Sequence, residues 1–217
     1  PKLNPQDRRP RRNSMNLDPQ SISARERYAL LISSILPRPI AWVSTISPAG
    51  VTNLAPFSFF TGITAEPMSV CFAPVNNREG VRKDTLINIQ MTKQFVINIA
   101  NEENAEKMNQ TSANYPHGVS EFDKAGVSAA PSILVRPPRV KETPISMECE
   151  LIQVVTLSDG PMGGHLVIGK VVMFHADDKI WNDGKIKHQD LKAIGRMEGA
   201  WYTRTLDAFE LPRPEAK

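Results

Sequence analysis

The density of proline constrains the fold of this chain more than any other feature. The sequence has 18 prolines and 12 glycines among 217 residues, and proline ordinarily accounts for only about 5% of a protein. Because proline has no backbone N–H and clashes with the preceding helical turn, this density excludes long helices and helical repeat arrays. A coiled coil is excluded for the same reason. The sequence therefore predicts a fold made of short elements.

Short β-type runs recur from residue 39 onward, with turn signals between them. The first run ends at Ile46, and Ser47-Pro48-Ala49-Gly50 has proline and glycine where a hairpin turn needs them. Further strands are expected over 51–61, 68–73, 94–100, 146–157 and 164–175. Because these runs do not alternate with long helices, an antiparallel barrel is expected rather than a doubly wound parallel sheet.

Three short helices are expected, over 24–35, 86–91 and 101–114. Asp84 or Thr85 is the expected N-cap of the second helix, since short polar side chains accept hydrogen bonds from the first turn.

The positive charge of the chain is concentrated near its N-terminal end. The net charge is +3, but Arg8, Arg9, Arg11 and Arg12 all precede Asp18, and the remaining residues carry about −1 without these four arginines. We interpret residues 1–24 as a disordered basic leader, with a weak contact to an anionic partner as the alternative. Residues 212–217 are interpreted as a tail. No nucleic-acid partner is expected, because the body of the protein is not basic.

The cysteine content and the early apolar residues indicate a cytoplasmic protein without a membrane span. Two cysteines, Cys71 and Cys149, are too few for a disulfide framework or a structural zinc site. The N-terminal residues contain no apolar core of a signal peptide. The most apolar early stretch, 28–46, is interrupted by Pro37-Arg38-Pro39, which does not suit a membrane-spanning helix.

The familiar catalytic motifs are absent from the sequence. It contains no G-x-G-x-x-G, G-x-x-x-x-G-K-[ST], G-x-S-x-G, H-E-x-x-H or C-x-x-C, so dinucleotide, P-loop, hydrolase and zinc-protease classes lose support. His165 and His175 fall ten residues apart in one expected strand, a separation of about 33 Å. They cannot share a metal ion, and no metal site is predicted.

Small hydroxyl and amide side chains collect where the expected strands end. Ser44, Thr45, Asn53 and Ser58 flank one hairpin, and Arg82-Lys83-Asp84-Thr85 opens a helix. A phosphate monoester binds backbone N–H groups, short hydroxyls and cations, and a helix N-terminus supplies several of these together. Each feature taken alone also fits an ordinary turn or helix cap, so the residues themselves leave both interpretations open.

In their order and spacing, several segments resemble the flavin reductase-like family with the FMN-binding split barrel. The resemblance covers about residues 25–211. It rests on Pro37-Arg38-Pro39-Ile40-Ala41-Trp42-Val43-Ser44-Thr45, Asn53-Leu54-Ala55-Pro56-Phe57-Ser58-Phe59-Phe60 and Lys83-Asp84-Thr85…Asn88-Ile89. In the C-terminal half it rests on Glu121-Phe122…Ala125-Gly126, Glu148-Cys149-Glu150-Leu151, His165-Leu166-Val167-Ile168-Gly169-Lys170-Val171 and Gly195-Arg196-Met197-Glu198-Gly199-Ala200-Trp201-Tyr202.

The resemblance implies a mainly β fold, a six-stranded antiparallel Greek-key split barrel with a few short helices, in one domain over residues 25–211. It also implies a homodimer with FMN at the interface. By matching motif, the residues that would contact the flavin are Ser44, Thr45, Asn53, Leu54, Ala55, Ser58 and Phe59, and those near its phosphate are Lys83, Asp84 and Thr85. Arg78 and Arg82 are alternative cations for that phosphate.

His165 occupies a position that related reductases associate with the nicotinamide, and the resemblance implies a catalytic role for it. Those reductases carry Asp-His there, whereas this sequence has Gly164-His165. The leading interpretation is an FMN-dependent NAD(P)H oxidoreductase with an unknown acceptor, such as an oxygenase or a redox protein. A flavoredoxin-like electron carrier without a nicotinamide site is the alternative, and Gly164 keeps it open. A non-catalytic binding module would have lost the Asn53, Ser58 and Lys83 clusters, which are present.

Overall fold

The computed structural model describes residues 15–215. The strands run Arg38–Pro39 (β1), Ala41–Ile46 (β2), Thr52–Phe57 (β3), Phe60–Ala65 (β4), Met68–Phe72 (β5), Gln94–Ile99 (β6), Ala129–Ala130 (β7), Arg139–Val140 (β8), Ile145–Thr156 (β9), His165–Ala176 (β10), Trp181–Asn182 (β11), Lys185–Ile186 (β12), Ile194–Arg196 (β13) and Tyr202–Arg204 (β14). The α-helices run Ala24–Ser34 (α1), Asp84–Thr92 (α2), Ala105–Gln110 (α3), Glu121–Lys124 (α4) and His188–Leu191 (α5).

The main element of the described chain is a seven-stranded antiparallel sheet with the strand order β3-β2-β6-β9-β10-β5-β4. This confirms the predicted mainly β, antiparallel architecture. The sheet has seven strands rather than six because the run predicted over 51–61 divides at Ser58 and Phe59 into β3 and β4. The two long strands, β9 and β10, pair over nearly their whole length with two register shifts.

Helix α2 packs against the interior of the sheet. Its Leu86 and Ile89 join a buried cluster with Phe72 and Phe95. Gly169 on β10 faces this cluster, and a Cβ there would overlap the ring of Phe95, so only glycine fits. A second cluster, around Trp42, lies on the other face of β2 and β3. The two clusters fix the hairpin β2–β3 between them.

A buried carboxylate fixes the loop before β8. Glu148 on β9 accepts hydrogen bonds from the backbone N–H groups of residues 133–135 and from Nε2 of His175. Burial opposes ionisation, but these donors outweigh it and hold the pKa of Glu148 below its usual value. His175 is thus engaged in the fold, far along β10 from His165.

Several local expectations differ from the structure. Helix α2 begins at Asp84, two residues earlier than the expected Leu86, so that Lys83 rather than Asp84 or Thr85 is its N-cap. The helix expected over 101–114 is a 3-10 turn, Glu102–Asn104, followed by α3. Asn101 and Asn104 cap that turn reciprocally, because each side chain bonds the other's backbone N–H.

The four leader arginines lie outside the described residues. The later part of the expected leader contains a 3-10 turn, Pro19–Ser21, capped by Asp18. Helix α1 then starts from a capping box between Ser23 and Glu26. No helix within residues 15–215 combines the length and the apolar character that crossing a membrane requires.

Candidate functional site

Three of the predicted site residues meet in one buried polar ladder between the hairpin and α2. Thr45 on β2 lies opposite Asn53 on β3. The Nδ2 of Asn53 donates to Oγ1 of Thr85 at 2.9 Å, and the Nδ2 of Asn88 donates to Oγ1 of Thr45 at 3.0 Å. All four side chains are buried. The ladder fastens the start of α2 to the hairpin. Asn88 belongs to a segment that carries the family resemblance, but the sequence assigned it no role.

The first turn of α2 has no side-chain cap. Its N-cap Lys83 makes no side-chain cap hydrogen bond, so the first backbone N–H groups of the helix have no capping side chain. Nζ of Lys83 is 3.4 Å from Oδ1 of Asn114, and Oδ1 of Asp84 is 2.7 Å from Nδ1 of His117. The first N–H groups of α2 and the ammonium group of Lys83 suit an anionic group such as a phosphate. Asp84, whose carboxylate contacts His117, is the acidic residue of the same turn.

The segment that carries Asn114 and His117 also covers the outer edge of β3. The Oγ of Ser120 lies 2.8 Å from the Oγ1 of Thr52, and the two hydroxyl groups form a hydrogen bond. Glu121 accepts the backbone N–H of Leu54 at 2.8 Å. Burial raises the pKa of Glu121, and the Leu54 N–H partly offsets that rise. A cavity of about 370 Å³ lies between the hairpin turn, α2 and residues 117–119; we call it the hairpin cavity.

Ser58 and Phe59, at the junction of β3 and β4, form a second part of the candidate site. The Nε of Arg38 donates to Oγ of Ser58 at 3.2 Å. Because this oxygen accepts from Arg38, the Ser58 hydroxyl hydrogen points away from Arg38 and can donate to another group. Sequence reasoning quoted Arg38 within a motif but gave it no role.

Arg38 ties three parts of the chain to this junction. Its two Nη atoms donate to the carbonyl oxygens of Ile32, Ile35 and Met197. The residue is only 3% exposed, and burial lowers the pKa of its guanidinium group. Helix α1 and the β13–β14 hairpin are therefore both fixed to the Ser58 position by one side chain.

A larger cavity lies beside Phe59. The ring of Tyr28 on α1 meets the ring of Phe59 edge-on, with centroids 6.2 Å apart. Next to it is a cavity of about 520 Å³ lined by Arg25, Tyr28, Ala29, Ile32, Arg78 and Met162. We call it the α1 cavity.

Three predicted contact residues, Ser44, Leu54 and Ala55, join neither the ladder nor the Ser58–Phe59 junction. Ser44 points to the opposite face of β2, because successive residues of a strand alternate, and its hydroxyl donates to the carbonyl of Pro138. The side chain of Leu54 is buried in the cluster around Trp42. Ala55 packs partly buried against the interior cluster.

His165 is enclosed by the loop that follows β9. It is 0% exposed, and its Nδ1 and Nε2 lie 3.1 Å from Thr156 Oγ1 and 3.2 Å from Asn76 Oδ1. Asp159 approaches Nε2 at 3.4 Å and pairs with Arg82 at 2.6 Å. The hydrogen bond from Arg82 lowers the pKa of Asp159. Both ring nitrogens are occupied within the chain, so the catalytic role of His165 stays a prediction.

Residues 33–188 match the flavin reductase like domain. The chain belongs to this family.

Within the part of the chain that the structure describes, no group of three or more His, Cys, Asp or Glu side chains is placed to hold a metal ion.

Relatives of this flavin reductase-like chain extend over nearly its full length. An uncharacterized protein of Halalkalibacterium halodurans is 38% identical over 202 residues, which are 92% of this chain and 97% of that protein. The crystal structure of nitrilotriacetate monooxygenase component B from Bacillus cereus is 35% identical, covers 91% of this chain and 98% of its own, and superposes with a TM-score of 0.87.

A more distant structure supports the barrel type. A protein with a split barrel domain from Shewanella frigidimarina covers 93% of this chain and 100% of its own, with a TM-score of 0.78 and 24% identity. The predicted split barrel is therefore confirmed as the fold of this family member.

Proposed function

We propose that this protein is an FMN-binding oxidoreductase that takes reducing equivalents from NAD(P)H and delivers them to an acceptor. The observation that carries the proposal is the uncapped first turn of α2 with Lys83, fastened by the buried ladder to the hairpin β2–β3. When bound, FMN supplies the redox chemistry, accepting a hydride and passing electrons on.

The residues present fit a phosphorylated flavin by the chemistry of their donors. Lys83 and the first N–H groups of α2 would hold the phosphate, with Thr85 keeping that turn in place. The Ser58 hydroxyl, oriented by Arg38, would donate to the ring system. The half-buried side chain of Phe59 would give the ring an apolar wall.

We also propose a homodimer with FMN at its interface. Helix α1 has no buried residue, and β4 is exposed from Thr61 to Ala65. Large apolar side chains in and beside these elements, including Leu31, Ile63 and Met68, are exposed. A second copy that covers this surface would remove apolar area from water, which favours association.

The similarity to a monooxygenase component B supports an oxygenase as the electron acceptor. Cys71 and Cys149 are both free thiols, which supports a cytoplasmic location. An FMN electron carrier without a nicotinamide site is the second candidate. The enclosed imidazole of His165, with partners on both nitrogens, favours it.

An anaerobic absorbance experiment distinguishes the two candidates. The purified protein is mixed with FMN, separated from free flavin, and treated with NADH and then with NADPH. Bleaching of the bound-flavin bands by either nucleotide is the expected result. Bleaching by dithionite alone would favour the carrier, and failure to retain FMN would refute both.

A further inference from the structure

Two arginines that line the α1 cavity form no hydrogen bond or ion pair with the described residues. Arg27, Arg38 and Arg82 donate hydrogen bonds to other residues. In contrast, the side chains of Arg25 and Arg78 have no hydrogen bond or ion pair with any residue in 15–215, and both line the α1 cavity. The nearest acid in α1, Glu26, is occupied by its cap interaction with Ser23.

The rest of the lining is apolar and includes an aromatic ring. Tyr28, Ala29 and Ile32 come from one side of α1, and Met162 comes from the loop between β9 and β10. Arginine guanidinium groups bind carboxylates and phosphates through paired hydrogen bonds, while an aromatic ring and a methionine accommodate a planar molecule. A volume of about 520 Å³ falls within the range of small-molecule sites.

Met162 occupies its position at a cost in backbone energy. Its φ is +58°, a left-handed conformation that a bulky side chain rarely adopts. Glycines stand at 160 and 163 in the same loop, yet the strained position carries a long apolar side chain that reaches the cavity. Strain of this kind collects at ligand sites.

Helix α1 owes its place to contacts at this site rather than to burial in the core. No residue of α1 is buried. It is held by Arg38, which binds the carbonyls of Ile32 and Ile35, and by the Tyr28–Phe59 contact. These contacts place the cavity directly beside the Ser58–Phe59 junction. Helix α1 also lies almost wholly before residue 33, where the family match begins.

From these observations we propose that the α1 cavity binds a planar small molecule carrying a carboxylate or phosphate, held by Arg25 and Arg78. The inference rests on the proposed function, since the ligand would be either the adenosine-phosphate part of the nicotinamide nucleotide or an aromatic carboxylate acceptor. Lys83, the proposed phosphate ligand, does not line this cavity.

The test is isothermal titration calorimetry on the full FMN-loaded chain, with adenosine monophosphate and benzoate as separate probes. At least one probe binds saturably with a 1:1 stoichiometry. Arg25→Met and Arg78→Met each weaken that binding about tenfold or more, the scale of one charge-assisted hydrogen bond. Arg136→Met, which removes an exposed arginine outside the cavity, leaves it unchanged. Binding of adenosine monophosphate identifies the nucleotide, and binding of benzoate identifies the carboxylate acceptor.

Three results would overturn the proposal. The first is that neither probe binds the wild type. The second is that the Arg25 and Arg78 variants bind the probe as the wild type does. The third is that FMN is released, either by the Arg78→Met substitution or by a probe, which would assign the cavity to the flavin phosphate. Failure of the wild type to retain FMN, by contrast, is a failure of the proposed function and is seen before any probe is added.

Discussion

Replacement of Arg38 by methionine tests the connection between the fold and the candidate flavin site. Methionine keeps much of the side-chain volume but has no N–H donors. The variant therefore loses the bonds to the carbonyls of Ile32, Ile35 and Met197 and to Oγ of Ser58. It leaves these four acceptors in a region where Arg38 itself is nearly fully buried.

The magnitude follows from the number of bonds and their surroundings. Four hydrogen bonds at about 1 kcal/mol net each would give about 4 kcal/mol, and removing a buried guanidinium recovers part of its desolvation cost. We expect the free energy of unfolding to fall by about 2–4 kcal/mol, which lowers the Tm by roughly 4–16 °C for a chain of this size. FMN affinity should fall by about five- to tenfold, because the Ser58 hydroxyl is no longer oriented.

Urea denaturation, thermal denaturation and FMN fluorescence titration measure these changes. The matched control is Arg204→Met, since Arg204 also ties the β13–β14 hairpin to the body, through Glu102, but is mostly exposed. Exposed ion pairs contribute about 0–1 kcal/mol. A loss below about 0.5 kcal/mol in Arg38→Met, or equal losses in both variants, would refute the reasoning.

Three further variants test other parts of the account. Lys83→Ala should weaken FMN binding by about 1.5–3 kcal/mol in a fluorescence titration; unchanged affinity would remove Lys83 from the phosphate site. His165→Ala should lower the Tm, because two buried hydrogen bonds are lost. If His165 is also catalytic, the variant is reduced more slowly by NADH in a stopped-flow measurement while FMN stays bound. An unchanged rate of reduction would leave His165 with a structural role alone. The depressed pKa of Glu148 contributes stability that is present above its unfolded pKa of about 4.5 and is lost as the pH falls through its lower folded value. Glu148→Gln should flatten that acid dependence in urea titrations between about pH 5 and 2, and an unaltered slope would contradict this assignment.

The elements that the sequence predicted best are those with a local signal. The long strands β9 and β10 were expected almost to the residue, because apolar β-prone residues continue through them. The division between β3 and β4 was missed, since Ser58 and Phe59 fit a strand as well as a bend. The cap of α2 was misplaced because Lys83, a residue with no acceptor for the first turn, occupies it.

The candidate site was predicted only in part, because only some of its residues have a local signal in the sequence. Thr45 and Asn53 flank a hairpin turn, and Thr85 lies in the first turn of α2, so each stands beside a local signal in the sequence. Asn88 bonds a residue 43 positions away, a pairing that no local pattern reveals. Ser44 could have been separated from Thr45, because neighbouring strand residues face opposite ways. No role was predicted for Arg38 or Glu121, because the bonds that tie them to the site join residues far apart in the sequence. Arg38 bonds Ser58 and the carbonyl of Met197, and Glu121 bonds the backbone N–H of Leu54.

A crystal structure of the protein with FMN tests the central claim most directly. The account predicts the flavin phosphate at the first turn of α2, within hydrogen-bond distance of Lys83, and the ring system against Phe59 with Ser58 Oγ donating to it. A phosphate bound by Arg25 or Arg78 instead, or a flavin with no contact to Lys83 and Ser58, would contradict it.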